Sequence, residues 1–154
     1  MGRRFRATGA PAGHGLAGAF VLALAATGCD RVPGGAAELE LDGETVTLPA
    51  GAEVVEVAIE TDGGNDRFEP ARPEAAVGDV VRFANGQLGT HAIAFERDGV
   101  GAEQFAFLER TLQLSSPPLV GRDAAWVVSL EEAPPGSYPF RCMTHGARGT
   151  LIVR

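Results

Sequence analysis

Apolar residues recur at every second position in several short runs of this chain. That period fits a strand with one buried face and does not fit a helix. Val55, Val57 and Ile59 alternate with Glu56, Ala58 and Glu60. Val81 and Phe83 flank Arg82 just after a Gly78-Asp79 turn, and His91, Ile93 and Phe95 share a face opposite Ala92 and Ala94. Trp126, Val128 and Leu130 repeat the pattern, then Tyr138, Phe140 and Cys142 after a Pro134-Pro135-Gly136 turn, and finally Leu151 and Val153. Earlier, Glu38-Leu39-Glu40-Leu41 and Thr45-Val46-Thr47-Leu48 flank Asp42-Gly43, the pattern of a hairpin. Short strands at regular spacing predict an all-β fold, a β-sandwich. The stretch 97–123 is less regular, and Ala102 to Gln113 admits either a short helix or an excursion between sheets.

The first 28 residues follow another rule. Arg3, Arg4 and Arg6 precede an apolar run from Leu16 to Ala26 that is too short to span a bilayer comfortably. The run ends in Ala26-Thr27-Gly28-Cys29, which resembles a bacterial lipobox, where the cysteine is lipidated and becomes N-terminal after cleavage. The expectation is an exported protein, on the periplasmic or cell-surface side, anchored to the membrane by lipid on Cys29. Several acyl chains on one residue hold stably where a single chain does not. With Cys29 so used, a disulfide to Cys142 is not expected. Pro33-Gly34-Gly35 lies in a flexible tether. The boundaries are therefore a lipoprotein-type signal peptide over 1–28, a tether over 29–37 and one domain over 38–154. All 20 acids lie from Asp30 onward, while three of the 13 basic residues, all arginines, lie in the leader. A surface this acidic repels nucleic acid and serves solubility, and it would also suit a basic partner.

Beyond the leader the chain holds two histidines and, Cys29 aside, one cysteine. Cys142 and His145 close a strand before Gly146, and His91 lies on an earlier strand. Thiolate and imidazole together suit copper, zinc or iron, and a trigonal site of two His and one Cys is the pattern of blue-copper electron carriers. Soft sulfur favours Cu(I), imidazole tolerates both oxidation states, and a rigid sandwich resists rearrangement between them. No Ser-His-Asp set, Gly-rich phosphate loop or readable carboxylate pair suggests an enzyme.

Two longer segments carry a resemblance. Phe68-Glu69-Pro70, Val77-Gly78-Asp79-Val80-Val81-Arg82-Phe83-Ala84-Asn85 and His91-Ala92-Ile93-Ala94-Phe95 form the first. Pro134-Pro135-Gly136-Ser137-Tyr138-Pro139-Phe140-Arg141-Cys142-Met143-Thr144-His145, followed by Gly149-Thr150-Leu151-Ile152-Val153, form the second. Together, over roughly residues 50–154, they resemble a plastocyanin- or azurin-type cupredoxin. The resemblance implies a Greek-key β-sandwich holding one copper ion, with His91, Cys142 and His145 as equatorial ligands. It implies a monomeric single-electron carrier serving a redox partner protein or a membrane electron-transport component, with electrons passing at the His145 edge. It also implies no enzyme, since the second copper centre of the oxidases and nitrite reductases is lacking.

The chain departs from that family in two places. Gly146-Ala147-Arg148-Gly149 follows His145 without the usual axial methionine, and the loop is about a residue short. Met143, one residue past the cysteine, is expected to point away from the metal. The copper would then be three-coordinate, or take water or a backbone oxygen such as that of the residue before His91. Ala92 stands where the family often has Asn or Ser tying the ligand loops together. Asn85 reads as a turn residue or a brace for those loops. Two other readings stay open: a protein that stores, delivers or senses copper without relay, and a degenerate, metal-free sandwich used as a binding module.

Overall fold

The computed structural model describes residues 38–41, 44–62 and 64–154. The leader, the tether and Cys29 lie outside the described residues. In chain order the elements are β1 (Glu38–Leu41), β2 (Glu44–Thr47), β3 (Val54–Asp62), β4 (Asn65–Glu69), β5 (Glu74–Ala75) and β6 (Val80–Asn85). Then come β7 (Thr90–His91), β8 (Ile93–Phe95), α1 (Ala102–Arg110), β9 (Leu119–Val120), β10 (Ala125–Ser129), β11 (Gly136–Cys142) and β12 (Arg148–Val153).

Two four-stranded sheets make the sandwich, one ordered β10-β6-β3-β4 and the other β5-β12-β11-β8. Each mixes antiparallel pairs with one parallel pair, β3 with β6 and β12 with β5. The chain crosses between the sheets after β4, β5, β6, β8 and β10, as a Greek-key sandwich requires. Two-stranded ladders, β1-β2 and β7-β9, complete the described strands.

The alternation read from the sequence is the burial pattern. Val57, Ile59, Val81, Phe83, Ile93, Val128, Leu130, Tyr138, Phe140, Cys142 and Leu151 are fully buried. Their neighbours along the strands face outward or are half-buried, apart from Val80, which is buried beside Val81. Aromatic rings fill the space between the sheets. Phe140 packs edge-on against Phe68 at 4.8 Å and Phe83 at 5.0 Å between centroids, and Phe83 stacks on Trp126 at 5.5 Å. Gly149 faces Phe140 across β11-β12. A Cβ there would run into the Phe140 ring and the Ala71 carbonyl. Only glycine lets the last strand lie this close.

Residues 102–110 form the helix that the sequence left as one of two options. It buries the adjacent Phe107 and Leu108. The Arg110 guanidinium near its C-terminus complements the helix dipole.

Register decides what meets at one end of the sandwich. Cys142, the last residue of β11, pairs with Ile93 of β8. His91 lies two residues before Ile93 and so falls on the same face, just beyond the end of that ladder. The β3-β4 ladder ends nearby, with Thr61 opposite Asp66 one pair before its last. Between these, β6 ends at Asn85, opposite Ile59 of β3.

Candidate metal centre

Each side chain of the centre arrives from a different local structure. Cys142 ends a strand whose inward positions, Tyr138 and Phe140, point its thiol into the sandwich as well. A tight turn then reverses the chain. The Gly146 N–H donates to the Cys142 carbonyl at 2.9 Å, and the Cys142 N–H donates to the Ala147 carbonyl at 2.7 Å. Gly146 adopts φ +80°, a left-handed conformation that costs glycine nothing. This turn hands His145 to the thiol. His91, on β7, is held by pairing with Leu119.

The two loops are tied by backbone. The Met143 N–H donates to the Ala92 carbonyl at 2.6 Å, directly linking the segments that carry Cys142 and His91. Asn85 is buried and braces the opposite side. Its Nδ2 donates to the Gly121 carbonyl at 2.9 Å and the Gly89 carbonyl at 3.2 Å, and its Oδ1 accepts from the Gln87 N–H at 3.1 Å. Met143 is 53% exposed and lies on an outer cleft beside Arg97, Arg141 and Arg148, away from the cluster.

The three residues singled out in the sequence converge. Cys142 Sγ lies 3.7 Å from His91 Nδ1 and 3.9 Å from His145 Nδ1, and the two Nδ1 atoms are 3.3 Å apart. A fourth group joins them that the sequence reading missed. Asp66 Oδ2 lies 2.7 Å from His145 Nδ1 and 3.3 Å from His91 Nδ1. One ligand atom from each of the four residues fits within 4.8 Å of all the others. The signal for Asp66 was available, since it lies two positions before Phe68, so a strand that buries Phe68 turns Asp66 toward the same interior.

The electrostatics of the cluster ask for a cation. The Asp66 side chain is only 7% exposed, and its Oδ2 makes no hydrogen bond, although two imidazole nitrogens are in contact range. Burial lowers the pKa of His91; the Asp66 carboxylate opposes that shift and the neighbouring His145 adds to it. A neutral imidazole keeps a lone pair to offer. Metal bonds of about 2.0–2.3 Å, in a tetrahedral arrangement, hold donor atoms roughly 3.3–3.8 Å apart. The thiol and the two imidazole nitrogens, 3.3–3.9 Å apart, lie near that spacing, Asp66 Oδ2 sits closer to His145 Nδ1 at 2.7 Å, and thiolate with imidazole is a donor set for copper or zinc. The residues present therefore fit a single transition-metal ion.

No family model matches the chain. It is 31% identical to the chloroplastic plastocyanin minor isoform of Arabidopsis thaliana over 117 residues, covering 71% of this chain. The chain spans 64% of the length of that relative. It is 29% identical over 108 residues to the plastocyanin of Prochlorothrix hollandica, covering 68% of this chain and 76% of that protein. Among solved structures, the oxidised plastocyanin of Dryopteris crassirhizoma superposes with a TM-score of 0.53 at 24% identity, covering 64% of this chain and 99% of that one.

Proposed function

The chain belongs to the cupredoxins, and we propose that it holds one copper ion through His91, Cys142 and His145 and carries single electrons at the outer face of a bacterial membrane. The observation that carries this reading is the convergence of one buried thiol and two imidazole Nδ1 atoms at one end of a rigid sandwich. Bound copper supplies a one-electron couple between Cu(II) and Cu(I). The protein supplies the rest. Cys142 is fully buried, so water is kept from its sulfur. His91 is buried and fixed by β7. The His145 side chain is 44% exposed and forms the edge through which an electron passes to a partner. Exposed Leu88, three residues before His91, and exposed Val120, paired with Thr90, give a partner apolar ground beside that edge. The activity is electron carriage by a monomer to a redox partner, not enzymatic turnover.

Export and anchoring complete the proposal. Residues 1–28 act as the signal peptide, lipid on Cys29 fixes the protein to the membrane, and 29–37 tethers the domain that begins at Glu38. Radiolabelled palmitate should appear on the protein, and Cys29→Ala should release it from membranes. A Cys29→Ala form that stays bound would sink the anchor.

Copper-loaded protein should be coloured by a sulfur-to-copper charge-transfer band and should be reversibly reduced by small cytochromes or quinols. Cys142→Ser should abolish the band, and colour that survives this change would refute the ligand set. A second reading, copper storage or delivery without relay, is favoured by the absence of a methionine between His145 and β12. Coloured protein that small carriers fail to reduce reversibly would decide for it.

A further inference from the structure

Asp66 is a buried carboxylate at the heart of the cluster, and the strand geometry aims it there. Thr61 and Asp66 face each other across the β3-β4 ladder. The Thr61 hydroxyl donates to Asp66 Oδ1 at 2.5 Å. That bond engages one carboxylate oxygen and leaves the other, Oδ2, turned to His91 and His145 without a hydrogen bond. When both imidazoles turn Nδ1 lone pairs toward it, as metal ligands must, that oxygen, 2.7 Å from His145 Nδ1 and 3.3 Å from His91 Nδ1, has no donor, and a buried anionic oxygen without one is costly. Two imidazole nitrogens 3.3 Å apart lie beside that oxygen and a thiol, and one donor atom from each of the four residues lies within 4.8 Å of all the others.

Resting on the copper reading above, we infer that Asp66 Oδ2 is a fourth donor to the metal, taking the place that the missing methionine leaves open. The consequence is a charge balance. Cu(II) beside one thiolate and one carboxylate is neutral, whereas Cu(I) with the same pair carries a net negative charge in a buried site. Burial penalises the charged form. A carboxylate is also a harder donor than a thioether and prefers the higher oxidation state. Asp66 therefore stabilises the oxidised metal and sets a low potential for the centre. Thr61 acts as its positioning residue, fixing the carboxylate through Oδ1 as outer partners commonly do for metal ligands.

X-ray absorption on copper-loaded protein tests the ligand, read together with the Cu(II) electron paramagnetic resonance spectrum and the reduction potential. The expected result is one sulfur and three nitrogen or oxygen neighbours. One sulfur with two light neighbours overturns the inference and leaves the three-ligand reading standing. No sulfur neighbour overturns the copper reading itself. Asp66→Leu replaces the carboxylate by an apolar group that also excludes water. It should reduce the light neighbours to two and weaken the preference for Cu(II) over Cu(I) by at least tenfold, about 59 mV for a one-electron couple. Three light neighbours with an unchanged spectrum in Asp66→Leu would assign the fourth donor elsewhere. If Asp66→Leu does not fold, Asp66→Asn keeps the shape and removes the charge. It should raise the potential and alter the resonance spectrum, and a spectrum and potential equal to wild type would overturn the assignment. Thr61→Val should move both readouts in the same direction by less.

Discussion

The two histidines of the centre are chemically the same residue in opposite surroundings. His91 is 3% exposed, paired into a ladder and set behind a loop that Asn85 braces. The His145 side chain is 44% exposed and rides on a five-residue reversal after Cys142. The first belongs to the closed side of the centre, continuous with the aromatic wall between the sheets. The second belongs to an open side that faces water. A centre that relays electrons, as proposed for this one, needs both. The closed side limits how far the donors move when the metal changes charge, and the open side lets a partner come close enough for transfer. The difference teaches that rigidity and access come here from separate segments, so each can be damaged alone.

The largest expected effect comes from breaching the closed side. Phe140 is fully buried, touches Phe68, Phe83 and Phe95, and lies two residues before Cys142. Phe140→Ala removes a ring that the surrounding sheets cannot collapse to replace. It should cost roughly 3–5 kcal/mol of folding free energy in denaturant titration. That is a large share of the roughly 5–15 kcal/mol that a domain holds in total. A loss below about 1 kcal/mol would mean that the wall is not close-packed and that the thiol is less sheltered than its burial indicates.

A smaller effect separates the histidines themselves. His145→Gly opens a gap at the surface, where free imidazole can enter. His91→Gly opens one behind the braced loop. Both variants should lose the charge-transfer band. Added imidazole should restore it in His145→Gly and leave His91→Gly colourless. Equal rescue of both would erase the distinction between a closed and an open side.

The same distinction explains what could be read in advance. Inward positions such as Val57, Ile59, Phe83 and Phe140 were legible because a half-buried strand forces a period of two, and the cost of burying the wrong face enforces it. The convergence of His91, Cys142 and His145 could be anticipated because rare residue types stood at strand ends in two characteristic segments. Asp66 was not. Acids are ordinarily solvated, and no alternating run was read over Asn65–Glu69, where Phe68 entered only through the resemblance, so the carboxylate two residues before it went unplaced. The inward register of Phe68 was the physical clue. The helix was legible only as an option, because α1 buries the adjacent Phe107 and Leu108 and so shows no apolar stripe at helical spacing.

The smallest effect tests whether the closed side is shut to water along its length. Tyr138 is the single tyrosine of the chain, fully buried, and its hydroxyl donates to the Pro134 carbonyl at 2.5 Å. Burial raises its pKa from 10.0 to about 12. Because the folded value exceeds the unfolded one, the neutral phenol stabilises the fold fully below pH 10. As pH climbs from 10 toward 12 the unfolded chain gives up this proton while the folded one keeps it, so stability falls. A two-unit shift corresponds to about 2–3 kcal/mol across that window. Ultraviolet titration of folded protein should show phenolate appearing near pH 12, and a midpoint near 10 would mean that water reaches the ring. Tyr138→Phe should flatten the alkaline loss that this phenol causes. At neutral pH it should cost only about 1 kcal/mol, the net value of one hydrogen bond, because the aromatic contacts with Phe95 remain.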